Sequence, residues 1–239
     1  MCGSDEDILG SLGHDPALVL VDAPLMVPDG AGRRDVEHVL AWLDIPAFPV
    51  SGARMHTVYG GARGARLAAA LAGGPHVLAE TIPDQVLRQL LWERQQPPGA
   101  APLGLAEYRA RWLGVRPPAF RPRGGRAHPE GLGPARDLLA DAADLTAWPG
   151  PTRDGDLAAL DEAAAIDATA CAVASHRCLH GDPTRWVLIG TAQRGRMVLP
   201  GDLDLAERAK VNATRLAREG VISIPADVAG QGAGAPQSW

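Results

Sequence analysis

The run Ala17-Leu18-Val19-Leu20-Val21-Asp22-Ala23-Pro24 decides the fold class. Five consecutive apolar residues, two of them β-branched, stop at an acid and a proline, the pattern of a strand buried on both faces in an α/β sheet. The carboxylate of Asp22 then stands at the C-terminal end of that strand, where open α/β sheets bind ligands. Asp and Pro are also ordinary turn residues, so this position alone also allows Asp22 merely to turn the chain.

Outward from this strand, the pattern alternates between helix and strand. Helices are expected over Arg34–Leu43, Ala62–Ala72 (stopped by Gly73-Gly74-Pro75), Asp84–Glu93, Leu157–Leu179 and Leu203–Glu219. His76–Glu80 reads as a second strand ending on an acid, Trp186–Gly190 and Gly195–Leu199 as a hairpin across Thr191–Arg194, and Val221–Ile224 as a short last strand. The stretch through Pro46, Pro49 and Gly52 reads as irregular. Residues 95–135, rich in Pro, Gly and Arg around the short pattern Ala106–Trp112, read as an insertion or flap rather than a second core. The whole chain, 1–239, is thus expected to be a single domain with this insertion and a flexible Gly-rich tail at 226–239.

Composition narrows the class. The chain has 239 residues, 46% hydrophobic and 21% charged, which fits a globular protein, and no run approaches the roughly 20 apolar residues of a membrane span. The net charge of −5 excludes nucleic-acid coating by bulk positive charge, while leaving local patches open. Lys210 is the only lysine among 23 basic residues, a bias that a GC-rich bacterial coding sequence explains without function. Cys171 and Cys178 lie seven apart on one expected helix, about 10.5 Å along its axis, too far for a disulfide. Three thiols and an acidic Met1–Gly10 without an apolar signal core give the expectation of a cytoplasmic protein.

Three acids carry the chemical argument. Asp167 sits on its helix among Ala163, Ala164, Ala170 and Cys171, so a small, apolar face carries a carboxylate with no basic residue within a turn. Such a group is protonated, paired with a base from elsewhere, or bound to a cation, unless it lies solvated at the rim. Glu80 ends the second strand, though it could also serve the start of the helix after Thr81-Ile82-Pro83. Asp161 and Glu162 read as helix-start acids. Asp22, Glu80 and Asp167 together form an oxygen set suited to Mg²⁺ or Mn²⁺, and such cations serve phosphodiester cleavage.

The runs Val21-Asp22-Ala23-Pro24-Leu25 with Pro28, Ala79-Glu80-Thr81-Ile82-Pro83, Ile166-Asp167-Ala168 and the closing strand Gly195–Pro200 resemble an uncharacterised prokaryotic family of predicted RNase H-fold nucleases. The resemblance spans Ala17 to Pro225. It implies an RNase H-like mixed sheet flanked by helices, with Asp22, Glu80 and Asp167 as catalytic and metal-holding residues. That fold normally opens with three antiparallel strands whose first carries a metal-binding Asp. Only sixteen residues precede Ala17 here, and Asp5, Asp7 and Asp15 among them lie in no expected strand. Two readings follow: a chain begun downstream of that unit, or a degenerate relative of the same fold. If that unit is missing, a sheet edge is left uncovered, which predicts homodimerisation or poor solubility.

Arg109, Arg111, Arg116, Arg121, Arg123 and Arg126 form an acid-free arginine series interleaved with Trp112 and Phe120, suited to phosphate contact and base stacking. A solvated Pro-rich loop is the plainer reading of the same stretch. Gly60–Gly64, with Arg63 or Arg66, could hold a phosphate at a helix start, although it is neither a P-loop nor a dinucleotide fingerprint. The histidines show no zinc spacing with cysteine; His176 and His180, four apart near a helix end, are read as dipole-favoured. No GxSxG elbow occurs. The expected function is a divalent-metal-dependent nuclease. Its rivals are a non-catalytic nucleic-acid or protein binding module of the same fold and a small-nucleotide phosphoesterase.

Overall fold

The run at 18–21 is a strand, β1 (Leu18–Val21), and it lies at the edge of a four-stranded sheet in the order β1-β2-β4-β3. The computed structural model describes residues 4–224, apart from 29–31, 48, 98–99, 102, 122–127, 147, 149, 152, 182–184 and 192. Within these, β2 is Val77–Glu80, β3 Trp186–Thr191 and β4 Gly195–Pro200. β1, β2 and β4 run parallel, and β3 returns antiparallel to β4. The helices are α1 (Asp5–Ser11), α2 (Asp35–Trp42), α3 (Gly52–Tyr59), α4 (Arg63–Leu71), α5 (Pro83–Gln95), α6 (Leu105–Gly114), α7 (Leu132–Ala140), α8 (Asp156–His180) and α9 (Leu203–Arg218). The architecture is a mixed α/β sheet flanked by helices.

The chain forms two compact units, one of residues 1–81 and 174–239, the other of residues 82–173. The first holds the sheet. Its core joins Val36, Val39, Leu40 and Leu43 to Val187, Ile189, Val198 and Leu199 of the hairpin and to Leu205, Ala209, Ala213 and Leu216 of α9. The apolar stripe of α9 recurs every three or four residues, which turns one face of the helix inward. The hairpin turns where expected. Gly190 and Gly195 both have positive φ, and a Cβ at Gly190 would collide with the carbonyl oxygen of Gly195.

The edge of β1 is not bare. Ala17 and Val21 direct their carbonyls to β2, accepting from Val77 N–H at 2.9 Å and Thr81 N–H at 3.0 Å. The carbonyl of Leu18 therefore points to the open side. There the Ser175 hydroxyl, near the end of α8, donates to it at 2.8 Å.

The second unit departs from the flap expected at 95–135. α5, α6 and the segment after it enclose an aromatic cluster of Trp92, Tyr108, Trp112 and Val115, with Leu91 and Leu103 against it. Tyr108 and Trp112 stack at 5.8 Å, and Trp92 meets both edge-on. α7 adds Leu132, Ala135, Leu138 and Leu139, all buried. This segment carries its own core.

The strand expected at Val221–Ile224 does not form. The N–H groups of Val221 and Ile222 bond back to Leu216 O at 2.9 and 3.4 Å, so the backbone there is spent on closing α9. The tail at 226–239 lies outside the described residues.

Candidate functional site

Residues Val21 and Glu80 are partners in the β1–β2 register, so Asp22 and Glu80 stand at the same, C-terminal end of two adjacent parallel strands. Asp22 is exposed, and Glu80 is buried. Gly64 in α4 makes room for the turn that follows Asp22: a Cβ there would lie 2.6 Å from Pro24 O and 3.0 Å from Ala23 Cβ. That glycine of the Gly60–Gly64 run serves close packing of helix on loop. The neighbouring Arg63 pairs with Asp5 on the surface.

Glu80 is held by Arg34, which in the sequence marks only a helix start. Arg34 is the N-cap of α2; its Nη1 donates to Glu80 Oε1 at 2.6 Å and its Nη2 to Oε2 at 2.8 Å. Nε donates to Glu37 Oε1 at 2.8 Å, and Nη1 also reaches Met26 O at 3.0 Å. Glu37 Oε2 accepts from the Arg34 N–H at 2.9 Å and the Val50 N–H at 3.4 Å, while the Leu25 N–H donates to Glu80 Oε1 at 2.9 Å. All three side chains are buried, at 7%, 1% and 3% exposure for Arg34, Glu37 and Glu80. Burial works against the Arg34 charge, yet the hydrogen bonds and charges of Glu80 and Glu37 outweigh it and hold the guanidinium above its ordinary pKa. The network ties the loop after β1 and the entry to α2 onto the end of β2.

This arrangement bears on cation holding. A carboxylate offers about four lone-pair positions. On Glu80, Leu25 N–H and both Arg34 Nη groups already engage three donors' worth of them, with a positive charge in contact. As arranged, Glu80 does not fit a cation ligand; it fits an anchor for the strand-end loop.

Asp167 lies in the second unit, on α8, and its basic partner comes from the arginine series. Arg121 Nε donates to Asp167 Oδ2 at 2.9 Å, its Nη2 to Asp167 Oδ1, and its Nη1 to Asp84 at the start of α5. One guanidinium thus faces two carboxylates. Burial pushes the Asp167 carboxyl above the usual range and Asp84's charge adds to this, against the downward pull of Arg121. The folded chain therefore takes up this proton at higher pH than the unfolded chain. The contribution of this group favours folding below its titration and disfavours it as pH rises through the window above about 4. Urea midpoints measured across that window should show less of this decline with rising pH in Asp167→Asn than in the parent.

The arginine series divides. Arg109, Arg111 and Arg116 are exposed, with Arg111 paired to Glu107 at 2.7 Å. Arg121 is turned to Asp84 and Asp167, and Arg123 and Arg126 lie outside the described residues. The expected base-stacking partners are not on the surface: Trp112 is fully buried and Phe120 is 2% exposed. Their rings serve the aromatic core and the stacking of Arg88 and Arg121 instead. Asp161 is buried and bound by Arg153, so it does more than favour a helix start. Among the described residues no group of three or more His, Cys, Asp or Glu is placed to hold a metal ion.

Compared with models of known protein families, with curated proteins and with solved structures, the chain matches none.

Proposed function

We propose that the chain is a divalent-metal-dependent nuclease with an RNase H-like core, its chemistry centred on the C-terminal ends of β1 and β2. The observation that carries this reading is the register pairing of Val21 with Glu80, which puts Asp22, one residue further on, at the C-terminal end of two adjacent parallel strands, where open α/β sheets bind ligands. Asp22, exposed there, is the residue we assign to the cation. Glu80 keeps its loop in place through Arg34. Asp167 is the third acid that the resemblance implies; it lies in the second unit and shares the Arg121 guanidinium with Asp84. Bound Mg²⁺ or Mn²⁺ would supply Lewis acidity at a phosphoryl oxygen. Arg109, Arg111 and Arg116 would contribute salt-dependent phosphate contact.

The guanidinium pairing of Glu80 and Asp167 favours a second reading, a non-catalytic nucleic-acid or protein binding module of the same fold. Incubation of labelled single- and double-stranded DNA and RNA with the full chain in Mn²⁺ separates the two. The nuclease reading expects cleavage that EDTA abolishes and that Asp22→Asn lowers by roughly 100-fold or more, as removal of a transition-state stabilising group does. Binding without cleavage, unchanged by EDTA, supports the module. Cleavage that persists in Asp22→Asn contradicts the assignment of that residue.

A further inference from the structure

The last two turns of α8 carry a pair of imidazoles that the nuclease reading does not use. His176 and His180 are both exposed, four residues apart on one helix face, with ring centroids 5.0 Å apart and planes tilted by 46°. Residues at i and i+4 lie one above the other on a helix, a spacing that lets two histidines grip one metal. The separation is itself informative. With Zn–N bonds of about 2.0–2.1 Å and a tetrahedral angle at the metal, two coordinated imidazoles have centroids about 5 Å apart. The ring separation is therefore compatible with chelation by the pair.

Two further features suit a cation there. The helix ends at Gly181, whose N–H bonds to Arg177 O at 3.0 Å, so the pair lies in the final turns where the helix dipole favours positive charge. The cysteines of the same helix are buried away from this face, and burial pushes the Cys178 thiol up to about 12, against its thiolate form.

We propose that His176 and His180 form a two-point chelating site for a borderline divalent transition metal, Zn²⁺ with Ni²⁺ or Cu²⁺ as analogues, whose remaining positions are filled by water or by the same pair of a second copy. Imidazole nitrogen selects these ions over Mg²⁺ and Mn²⁺, so this site is chemically distinct from the acids at the sheet end.

Calorimetric Zn²⁺ titration of the full chain tests it, with sedimentation run in parallel and folding checked by circular dichroism. Micromolar binding is expected, unaffected by excess Mg²⁺ and weakened roughly tenfold or more by either His176→Ala or His180→Ala, because a chelate loses one of its two protein ligands. His128→Ala, at an exposed pair with Glu130, should leave the binding unchanged. A zinc-dependent dimer that disappears in the same variants supports the pair acting across two copies. The variants change only exposed side chains, so a folded double variant that binds Zn²⁺ as the parent does, or a parent that binds none, overturns the proposal.

Discussion

Arg34→Met is expected to destabilise the first unit by about 3–5 kcal/mol, the usual consequence of leaving buried charges without their partner. The effect is large because Glu37 and Glu80 are almost fully buried and each takes part of its compensation from this one side chain. Arg34→Lys keeps the charge but not the fork, and a single ammonium cannot reproduce the three nitrogens that reach Glu37 Oε1, Glu80 Oε1 and Glu80 Oε2. It should fall between the parent and Arg34→Met. Adding Glu80→Gln to Arg34→Met removes one orphaned charge and should recover part of the loss. Urea unfolding of the four proteins measures this directly. An Arg34→Met variant as stable as the parent would mean that the network does not hold the loop.

Trp112→Ala should cost a similar amount, about 3–5 kcal/mol, and the loss should be seen in the second unit. Trp112 has no exposed surface, stacks on Tyr108, meets Trp92 edge-on and lies 4.2 Å beneath the Arg88 guanidinium. Its backbone carbonyl also accepts from Arg88 Nη2. Removal of the indole leaves a cavity and an unstacked charge together. Amide hydrogen exchange should locate the loosening in α5 and α6. If Trp112 instead served as an exposed base-stacking ring, truncation would lower oligonucleotide affinity and leave exchange unaltered.

These two residues also mark what the sequence could and could not disclose. β1, the hairpin and α8 were legible because each is set by local pattern: a β-branched run, a turn between two apolar strands, and an uninterrupted Ala-rich stretch. α3 and α7 were not. α3 follows Pro49 and starts at Gly52, and α7 contains Gly133 and Pro134, so propensity argues against both while packing of Met55, Leu138 and Leu139 decides for them. The same limit governs the acids. Their places at strand ends follow from local pattern, whereas Arg34 meets Glu80 across 46 residues and Arg121 meets Asp167 across another 46. The one available signal was chemical: an acid on an apolar helix face with no local base requires a distant partner, and Arg121 is that partner. Asp84 gives no such signal: just after Pro83 at the start of α5, it reads as an ordinary helix-start acid.

Calorimetric Mn²⁺ titration of the full chain beside the folded variant Asp22→Asn tests the central claim most directly. The nuclease reading predicts specific binding in the parent that is lost in the variant. A folded parent that binds no Mn²⁺, or a variant that binds it equally well, would contradict a cation held by Asp22 at the end of β1.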